Sequence, residues 1–333
     1  MAASIEAIVR TFLERMVEIK STGGATSETS FYSALENLLN EVGKSLDPNV
    51  ICNGQLRNQG AGHPDFGLYN QKQCQKGAPK KGQGEIPERG VVEVKPLADS
   101  TWQTAKSNQA TKYFQKYRLV LVTNYRDFRL IGEDDGRKPV QREFFTFADS
   151  ETEFWNVAAH PVKAAKEFGP RLGEVLKRVL MTAAPLRKPE DVAWFLASYA
   201  RDALTTLEAK DASALAPIRD ALELTLGIKF EGEKGEHFFR STLIQTLFYG
   251  VFSAWVLWSK SGGSGKFDWR LAGYILTVPM VRALFEEVAT CATMPMALQL
   301  TGLAFHCQRI ERNWRHPLPW EPNSLCCWTP KLK

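Results

Sequence analysis

Two acidic residues and one lysine stand at positions from which they can meet at the end of a β-sheet. Asp65 precedes one apolar run, and Glu93 and Lys95 belong to a second run 28 residues further along the chain. Side chains alternate along a strand, so Val92 and Val94 face the core while Glu93 and Lys95 share the opposite face. The pattern predicts that two carboxylates and one ammonium group converge where the two strands adjoin.

These three groups suit the binding of a divalent cation next to a phosphate. Two carboxylates about 4 Å apart repel each other by ~4 kcal/mol at an effective dielectric of ~20, so they need a cation or a shared proton between them. A hard ion with oxygen ligands fits, Mg²⁺ first. Lys95 would then hold a water nucleophile and counter the charge that develops on the phosphate. The alternative is that Glu93 and Lys95 form a solvated strand face and that Asp65 caps a turn.

Further polar residues flank these three. Glu28 lies at the start of a predicted amphipathic helix, on its inward face, where a carboxylate is costly unless it binds something. The alternative is a first-turn acid that complements the helix dipole. A helix predicted over 102–117 places Gln109 and Tyr113 four residues apart on one face, with Trp102 near them. This amide and phenol could hydrogen-bond a phosphate or a base, although the same spacing recurs elsewhere in the chain.

The elements that must position these residues follow an α/β pattern. A chain of 333 residues with 44% hydrophobic and 24% charged residues excludes a disordered or disulfide-stapled protein. Apolar residues recur at helical spacing near the N-terminus and again from about residue 27. Short runs typical of strands follow, at 50–56, 65–69, 91–95, 119–123, 125–131 and 143–147. This order predicts a mixed central sheet with helices on its faces.

After residue 150 the sequence becomes helical. Helices are predicted at 175–181, 192–207, 215–226, 238–258 and 271–288. From residue 291 the periodicity is lost, and four of the six cysteines follow, so we expect an irregular tail of the kind that a shifted reading frame produces. The predicted organisation is an N-terminal helix (1–24), an α/β domain (25–150), an all-helical connector domain (151–290) and the irregular tail (291–333).

The order of the polar residues resembles that of the PD-(D/E)xK nuclease superfamily. More narrowly, it is similar to the N-terminal endonuclease domain of fused type IIG and type ISP restriction–modification enzymes. The matching segments are 27–35, 63–66, 92–95, 108–113 and 121–129. The resemblance implies a restriction-endonuclease-like core and hydrolysis of DNA phosphodiester bonds that depends on Mg²⁺, with Mn²⁺ as a substitute.

The resemblance also implies roles for individual residues. Asp65 and Glu93 would bind the metal ion, with the carbonyl of Val94 as a third ligand. Lys95 would activate or orient water. Three more residues would assist the site from neighbouring helices: Glu28, Gln109 and Tyr113.

Proteins of this kind continue into a methyltransferase. This chain has neither the Asn-Pro-Pro-(Tyr/Phe) motif for a flipped base nor a glycine-rich adenosylmethionine loop. We therefore expect DNA as a partner, together with a separate methyltransferase or specificity polypeptide. The rival hypothesis is a catalytically silent fragment that binds DNA or a partner subunit.

Positive charge that could contact DNA is local. The net charge is +5, of which +3 lies after residue 290, so residues 1–290 carry only about +2 and no general nucleic-acid signature. The polar loop between residues 71 and 89 carries basic residues that either contact phosphates or only keep the loop solvated. These are Lys72, Lys76, Lys80, Lys81 and Arg89.

The sequence favours a cytoplasmic protein without membrane contact. Charged residues interrupt the N-terminus before an apolar signal-peptide core can form. Only Cys52 and Cys74 precede residue 290, which indicates a reducing compartment. The uncharged stretch 241–259 has nearly the length of a bilayer span, but its polar residues favour a buried helix.

Overall fold

Helices surround a sheet in the first half of the chain and make up the second half. The computed structural model describes residues 3–24, 28–54, 56, 60–74, 86–133, 138–184, 186, 188–208, 215–262, 265–290 and 296–310. In these residues the α-helices are α1 Ile5–Ser21, α2 Tyr32–Lys44, α3 Thr101–Ala105, α4 Asn108–Tyr117, α5 Glu151–Ala158, α6 Pro161–Met181, α7 Pro189–Glu208, α8 Ala216–Leu226, α9 Gly232–Lys260, α10 Ala272–Ile275, α11 Pro279–Thr290 and α12 Ala297–Gln308.

The described strands form one mixed sheet. They are β1 Val50–Gly54, β2 Phe66–Asn70, β3 Val91–Val94, β4 Val120–Thr123, β5 Asp127–Glu133 and β6 Pro139–Thr146. Their order across the sheet follows the sequence. The pair β3 and β4 is parallel, with α3 and α4 in the connection between them, and the other neighbours are antiparallel. The predicted α/β class, a mixed sheet flanked by helices and followed by a helical region, is confirmed.

The two faces of the sheet bury different sets of side chains. Val92 and Leu121 belong to a large core that includes residues of α1, α2 and α6. Val91 and Val122 belong to a smaller core that includes residues of α3 and α4. Strand alternation therefore places Glu93 on the face that α3 and α4 cover.

The first edge strand is held by a side chain of α2. The Asn40 amide donates to the carbonyl oxygen of Cys52 at 3.0 Å and accepts from the Cys52 N–H at 2.9 Å. The N–H and carbonyl of Cys52, which point away from the sheet, are therefore both hydrogen-bonded. In an unprotected edge strand these groups would have no partner in the protein. Gly43 permits the approach, because a Cβ there would lie 2.1 Å from the Val50 carbonyl oxygen.

The chain divides into compact units after residue 184, not after residue 150. Residues 1–184 form one unit because α1, α5 and α6 complete the core of the sheet. Arg178 of α6 is fully buried and donates to Glu143 of β6 at 2.9 Å. Phe147, just after β6, packs against Phe12 of α1 and Phe168 of α6. The predicted boundaries at residues 24 and 150 therefore cut through one core.

The second unit, residues 185–333, is helical where the structure describes it. Its helix α9 contains the uncharged stretch 241–259. Among the described helices α9 alone is long and apolar enough to cross a membrane by length and composition, which is weak evidence because core helices meet the same criterion. In α9 the side chains of Phe239, Leu243, Leu247 and Val251 are fully buried within the unit.

The tail is not irregular throughout. Residues 297–308 form α12, which buries Leu300, Leu303 and Cys307. Gly302 lies so close to α7 that a Cβ there would be 2.7 Å from the Tyr199 ring. The prediction was wrong here because a helix that is apolar on every side shows no amphipathic stripe. Residues 311–333 lie outside the described part of the chain.

Candidate active site

Asp65 lies beside β3 at the start of β2. The antiparallel register pairs Phe66 of β2 with Val92 of β3. The residue before Phe66, Asp65, therefore lies opposite the residue after Val92, Glu93. The Val94 N–H donates to Asp65 Oδ2 at 2.7 Å and anchors the carboxylate at the end of β3. Asp65 and Glu93 therefore lie next to each other on adjoining strands, as the sequence pattern predicts.

Glu93 and Lys95 form an ion pair at the end of β3. Lys95 Nζ lies 2.7 Å from Glu93 Oε1. Glu93 is only 2% exposed, whereas the Lys95 side chain is 24% exposed and so reaches solvent. The other Glu93 oxygen, Oε2, is buried and has no hydrogen-bond partner among the described residues. A buried carboxylate oxygen without a hydrogen-bond partner is costly, so Oε2 is where a proton or a cation would be favoured.

Burial and neighbouring charges set the ionisation of this pair. The pKa of Glu93 is raised to about 7, because the upward effects of burial and of the Asp65 carboxylate outweigh the downward effect of the hydrogen bond from Lys95. Burial lowers the pKa of Lys95, but the hydrogen bond to Glu93 and its charge outweigh this, and the net shift is upward. Lys95 is thus an ammonium ion at neutral pH, while Glu93 titrates near neutrality.

Glu28 joins the site through a tyrosine. The Tyr32 hydroxyl donates a hydrogen bond to Asp65 Oδ1, and the hydroxyl oxygen of Tyr32 lies 3.3 Å from Glu28 Oε1. Burial and the Asp65 carboxylate raise the pKa of Tyr32. Glu28 itself precedes a 3-10 turn, Thr29–Phe31, and α2 begins only at Tyr32. The predicted helix start near residue 27 was too early, and Glu28 approaches the site from the turn that enters the helix.

A second tyrosine bonds the backbone of Glu28. Tyr125, in the turn between β4 and β5, donates its hydroxyl to the backbone carbonyl of Glu28. Its φ is +70°, a strained value for a tyrosine that the surrounding contacts must hold. The preceding Asn124 donates to the carbonyl of Asp99 at 2.8 Å and so ties this turn to the loop after Lys95.

Sequence reasoning assigned no role to Tyr32 or Tyr125. A signal for Tyr125 was present: its turn follows β4, and parallel strands bring their carboxyl ends to one edge of the sheet. Tyr32 also follows Glu28 at four residues, the spacing at which helical side chains meet.

Gln109 and Tyr113 meet as predicted. Gln109 Nε2 donates to the Tyr113 hydroxyl at 2.9 Å. Burial raises the pKa of Tyr113, the Gln109 bond lowers it, and the charges of Glu93 and Asp65 raise it. Gly62, with φ of +113°, lets the loop before Asp65 approach this ring, because a Cβ there would lie 3.2 Å from the Tyr113 hydroxyl.

The predicted single helix over 102–117 is two helices. The helical run is interrupted before Ser107, whose side-chain oxygen accepts a hydrogen bond from the Ala110 N–H and caps α4. Trp102 lies in α3 beside Lys106, whose Nζ is 4.3 Å from the indole centroid. The two therefore contact each other, and no described hydrogen bond joins them to Gln109 or Tyr113.

The basic loop is described only at its ends. Lys72 is exposed in the 3-10 turn Gln71–Cys74. Arg89 is 4% exposed, so it lacks the surface position that a phosphate contact requires, and its prediction as a DNA-binding residue was wrong. Lys76, Lys80 and Lys81 lie outside the described residues.

The oxygens at this edge of the sheet fit a hard divalent cation. The N–H groups of Val91 and Lys95 donate to residues of β4 or just before it. Backbone groups alternate in direction along a strand, so the N–H and carbonyl of Val94 point the other way, toward β2 and Asp65. The Val94 carbonyl and the bare Glu93 Oε2 are oxygen donors of the type that Mg²⁺ prefers. Within the described residues no three His, Cys, Asp or Glu side chains form a ready-made metal site. A cation here would therefore complete its coordination with water or substrate oxygens.

Comparison with known proteins leaves the family open. No family model matches the chain. No curated protein matches it either. A solved structure, the cryo-EM structure of the DrdV–DNA complex, aligns with 88% of this chain at 16% identity and a TM-score of 0.32. The alignment spans 26% of that chain. A TM-score of this size does not demonstrate a shared fold.

Proposed function

We propose that this chain hydrolyses DNA phosphodiester bonds with the help of Mg²⁺ at the site formed by Asp65, Glu93 and Lys95. The observation that carries the proposal is the state of Glu93. Its carboxylate is buried beside Asp65, one oxygen is bonded to Lys95, and the other has no hydrogen-bond partner in the described structure. A buried carboxylate in this state needs a proton or a cation.

Each side chain has a distinct task in this proposal. Asp65 and Glu93 hold the cation, with the Val94 carbonyl on the same side. Bound Mg²⁺, or Mn²⁺ in its place, makes water more acidic and offsets charge on the phosphate. Because the pKa of Lys95 is raised, its ammonium group acts by donating hydrogen bonds to the water nucleophile or to a phosphate oxygen, not by removing a proton.

The surrounding residues complete the proposed catalytic machinery. Tyr32 orients Asp65 and connects it to Glu28. The pair of Gln109 and Tyr113 presents an amide and a phenol from α4. The mixed sheet, with its acidic residues on β3 and at the start of β2, is the arrangement expected of a restriction-endonuclease-like core. Lys72, Lys76, Lys80 and Lys81 remain proposed phosphate contacts, and a separate methyltransferase or specificity polypeptide remains a proposed partner.

Plasmid nicking in Mg²⁺ tests this function. We expect the wild-type chain to nick supercoiled DNA, and Asp65→Asn and Lys95→Ala to lose about a hundred-fold or more in rate. Lys20→Ala is a matched control, because Lys20 follows Glu18 with the same Glu-x-Lys spacing on the surface of α1. Equal cleavage by all four proteins would falsify the assignment.

The rival hypothesis, a catalytically silent binding module, rests on a different observation. Both oxygens of Asp65 are already engaged, one by Tyr32 and one by the Val94 N–H. Such a carboxylate can serve a purely structural purpose. Calorimetric titration with Mn²⁺ separates the two: binding that Asp65→Asn abolishes, without nicking by the wild type, favours the silent module.

A further inference from the structure

An exposed indole with two neighbouring cations lies on the same side of the sheet as Glu93. Trp102 of α3 is 43% exposed. Lys106 Nζ lies 4.3 Å from its ring centroid, and Arg129 Cζ lies 5.0 Å from it. We call these three residues the Trp102 patch. An exposed indole with two positive charges beside it offers a stacking surface for a base together with contacts for phosphates.

The two cations of the patch are held differently. Arg129 is fixed: its Cζ lies 4.2 Å from the Phe144 ring centroid, and its guanidinium bonds Gln141 and Thr101. Lys106 is exposed at the end of α3. Among the described residues neither cation is in an ion pair, although the charge of Asp127, two residues before Arg129 on β5, acts on Arg129 at longer range. The patch therefore offers one rigid and one adaptable positive charge to an anion.

The sheet register connects the patch to the proposed active site. Glu93 pairs with Val122 on β4, and Val122 pairs with Arg129 on β5. Paired residues of neighbouring strands point to the same face, so Glu93 and Arg129 share one face two strands apart, roughly 10 Å by the usual strand spacing. The patch and Glu93 are therefore close enough for nearby nucleotides of one strand to reach both.

We propose that the Trp102 patch binds an unpaired nucleotide of the DNA strand that the active site engages, an inference that rests on the proposed function. The base stacks on Trp102, and the neighbouring phosphates contact Lys106 and Arg129. Aromatic stacking next to basic groups is the chemistry by which proteins hold single strands without reading their sequence. A paired base cannot reach the ring, so the patch selects DNA that is locally open.

The test measures binding without catalysis, in EDTA, by fluorescence anisotropy. The probes are a labelled oligothymidylate of about ten nucleotides and an abasic strand of the same length. We expect the wild type to bind the thymidylate strand more tightly than the abasic strand, and Trp102→Ala to lose about ten-fold for the thymidylate strand alone. Lys106→Ala should weaken binding of both strands and reduce its dependence on salt.

A similar cation–indole pair provides the control. Lys20 Nζ lies 4.0 Å from the ring centroid of Trp155, outside the patch, so Lys20→Ala should bind both strands as the wild type does. Equal binding of thymidylate by the wild type and Trp102→Ala overturns the proposal, as does equal wild-type affinity for the two strands. Nicking is scored separately in Mg²⁺, so the nuclease and the patch can fail independently. Since Trp102 and Lys106 are exposed, both variants should keep the wild-type circular dichroism spectrum.

Discussion

Glu93 couples the stability of the first unit to pH. Its pKa is about 7 in the folded chain against 4.5 for an ordinary glutamate, chiefly because burial penalises the charged form. The folded state therefore holds this proton more tightly than the unfolded state does. Its contribution to stability is complete below about pH 4.5 and is lost as the pH rises through about 7.

We expect Glu93→Gln to remove this dependence. In metal-free buffer the wild-type free energy of unfolding should fall by up to roughly 3 kcal/mol between these two pH values because of Glu93, and the variant should lack that fall. Urea unfolding at several pH values measures the difference. Glu14→Gln, on the exposed side of α1, should follow the wild-type curve. Parallel curves for the wild type and Glu93→Gln would contradict the buried, proton-binding state of Glu93.

Two tyrosine hydroxyls provide a contrasting pair for the next prediction. The Tyr32 hydroxyl donates to Asp65, whereas the Tyr117 hydroxyl is buried without a hydrogen-bond partner among the described residues. Tyr32→Phe should cost about 1.5–3 kcal/mol of unfolding free energy, the usual value for a hydrogen bond to a charged group. Tyr117→Phe should cost nothing or stabilise slightly. Urea unfolding of both variants tests this, and equal losses of unfolding free energy would contradict the hydrogen bond from Tyr32 to Asp65.

At the scale of elements, α6 is joined to β6 by a buried ion pair. Arg178 and Glu143 are both buried, and their ion pair connects a helix to the last strand of the sheet. Removing one partner leaves a buried charge uncompensated, so Glu143→Ala should destabilise the unit by about 3–5 kcal/mol. Replacing both partners with apolar residues, Glu143→Leu with Arg178→Met, should restore much of that loss.

Hydrogen exchange distinguishes this effect from general destabilisation. Amides of β5 and β6 should lose protection in Glu143→Ala and regain it in the double variant. Glu14→Ala breaks only the exposed pair with Arg10 and should cost less than about 1 kcal/mol. If the surface and buried substitutions cost the same, the pair does not connect α6 to the sheet.

At the scale of the whole molecule, the division after residue 184 predicts which fragments fold. Residues 1–184 should unfold cooperatively on their own, because they contain α1, the sheet and α6. Residues 25–150 should not, since this cut exposes Phe147 and leaves Glu143 without Arg178. Circular dichroism with urea titration of both fragments measures this. A cooperative transition in the shorter fragment would place the boundary where the sequence pattern suggested it.

Several features of this protein follow from local patterns that are legible in the sequence. The alternation 92–95 predicts which face of β3 carries Glu93 and Lys95, and the i, i+4 spacing predicts that Gln109 meets Tyr113. Both are periodicities of a single element, so neighbouring residues suffice to define them. The strands of the first unit follow from the same rule, whereas α5 and the first part of α6 were not predicted.

Other features depend on contacts that no local pattern encodes. The bonds from Tyr32 to Asp65 and from Tyr125 to Glu28 join residues 33 and 97 positions apart, and only the folded sheet brings them together. The sequence predicts a helix at 175–181, but not that α6 packs against β6. The bare oxygen of Glu93 is likewise a product of tertiary packing, because burial is a property of the assembled core and not of any one segment.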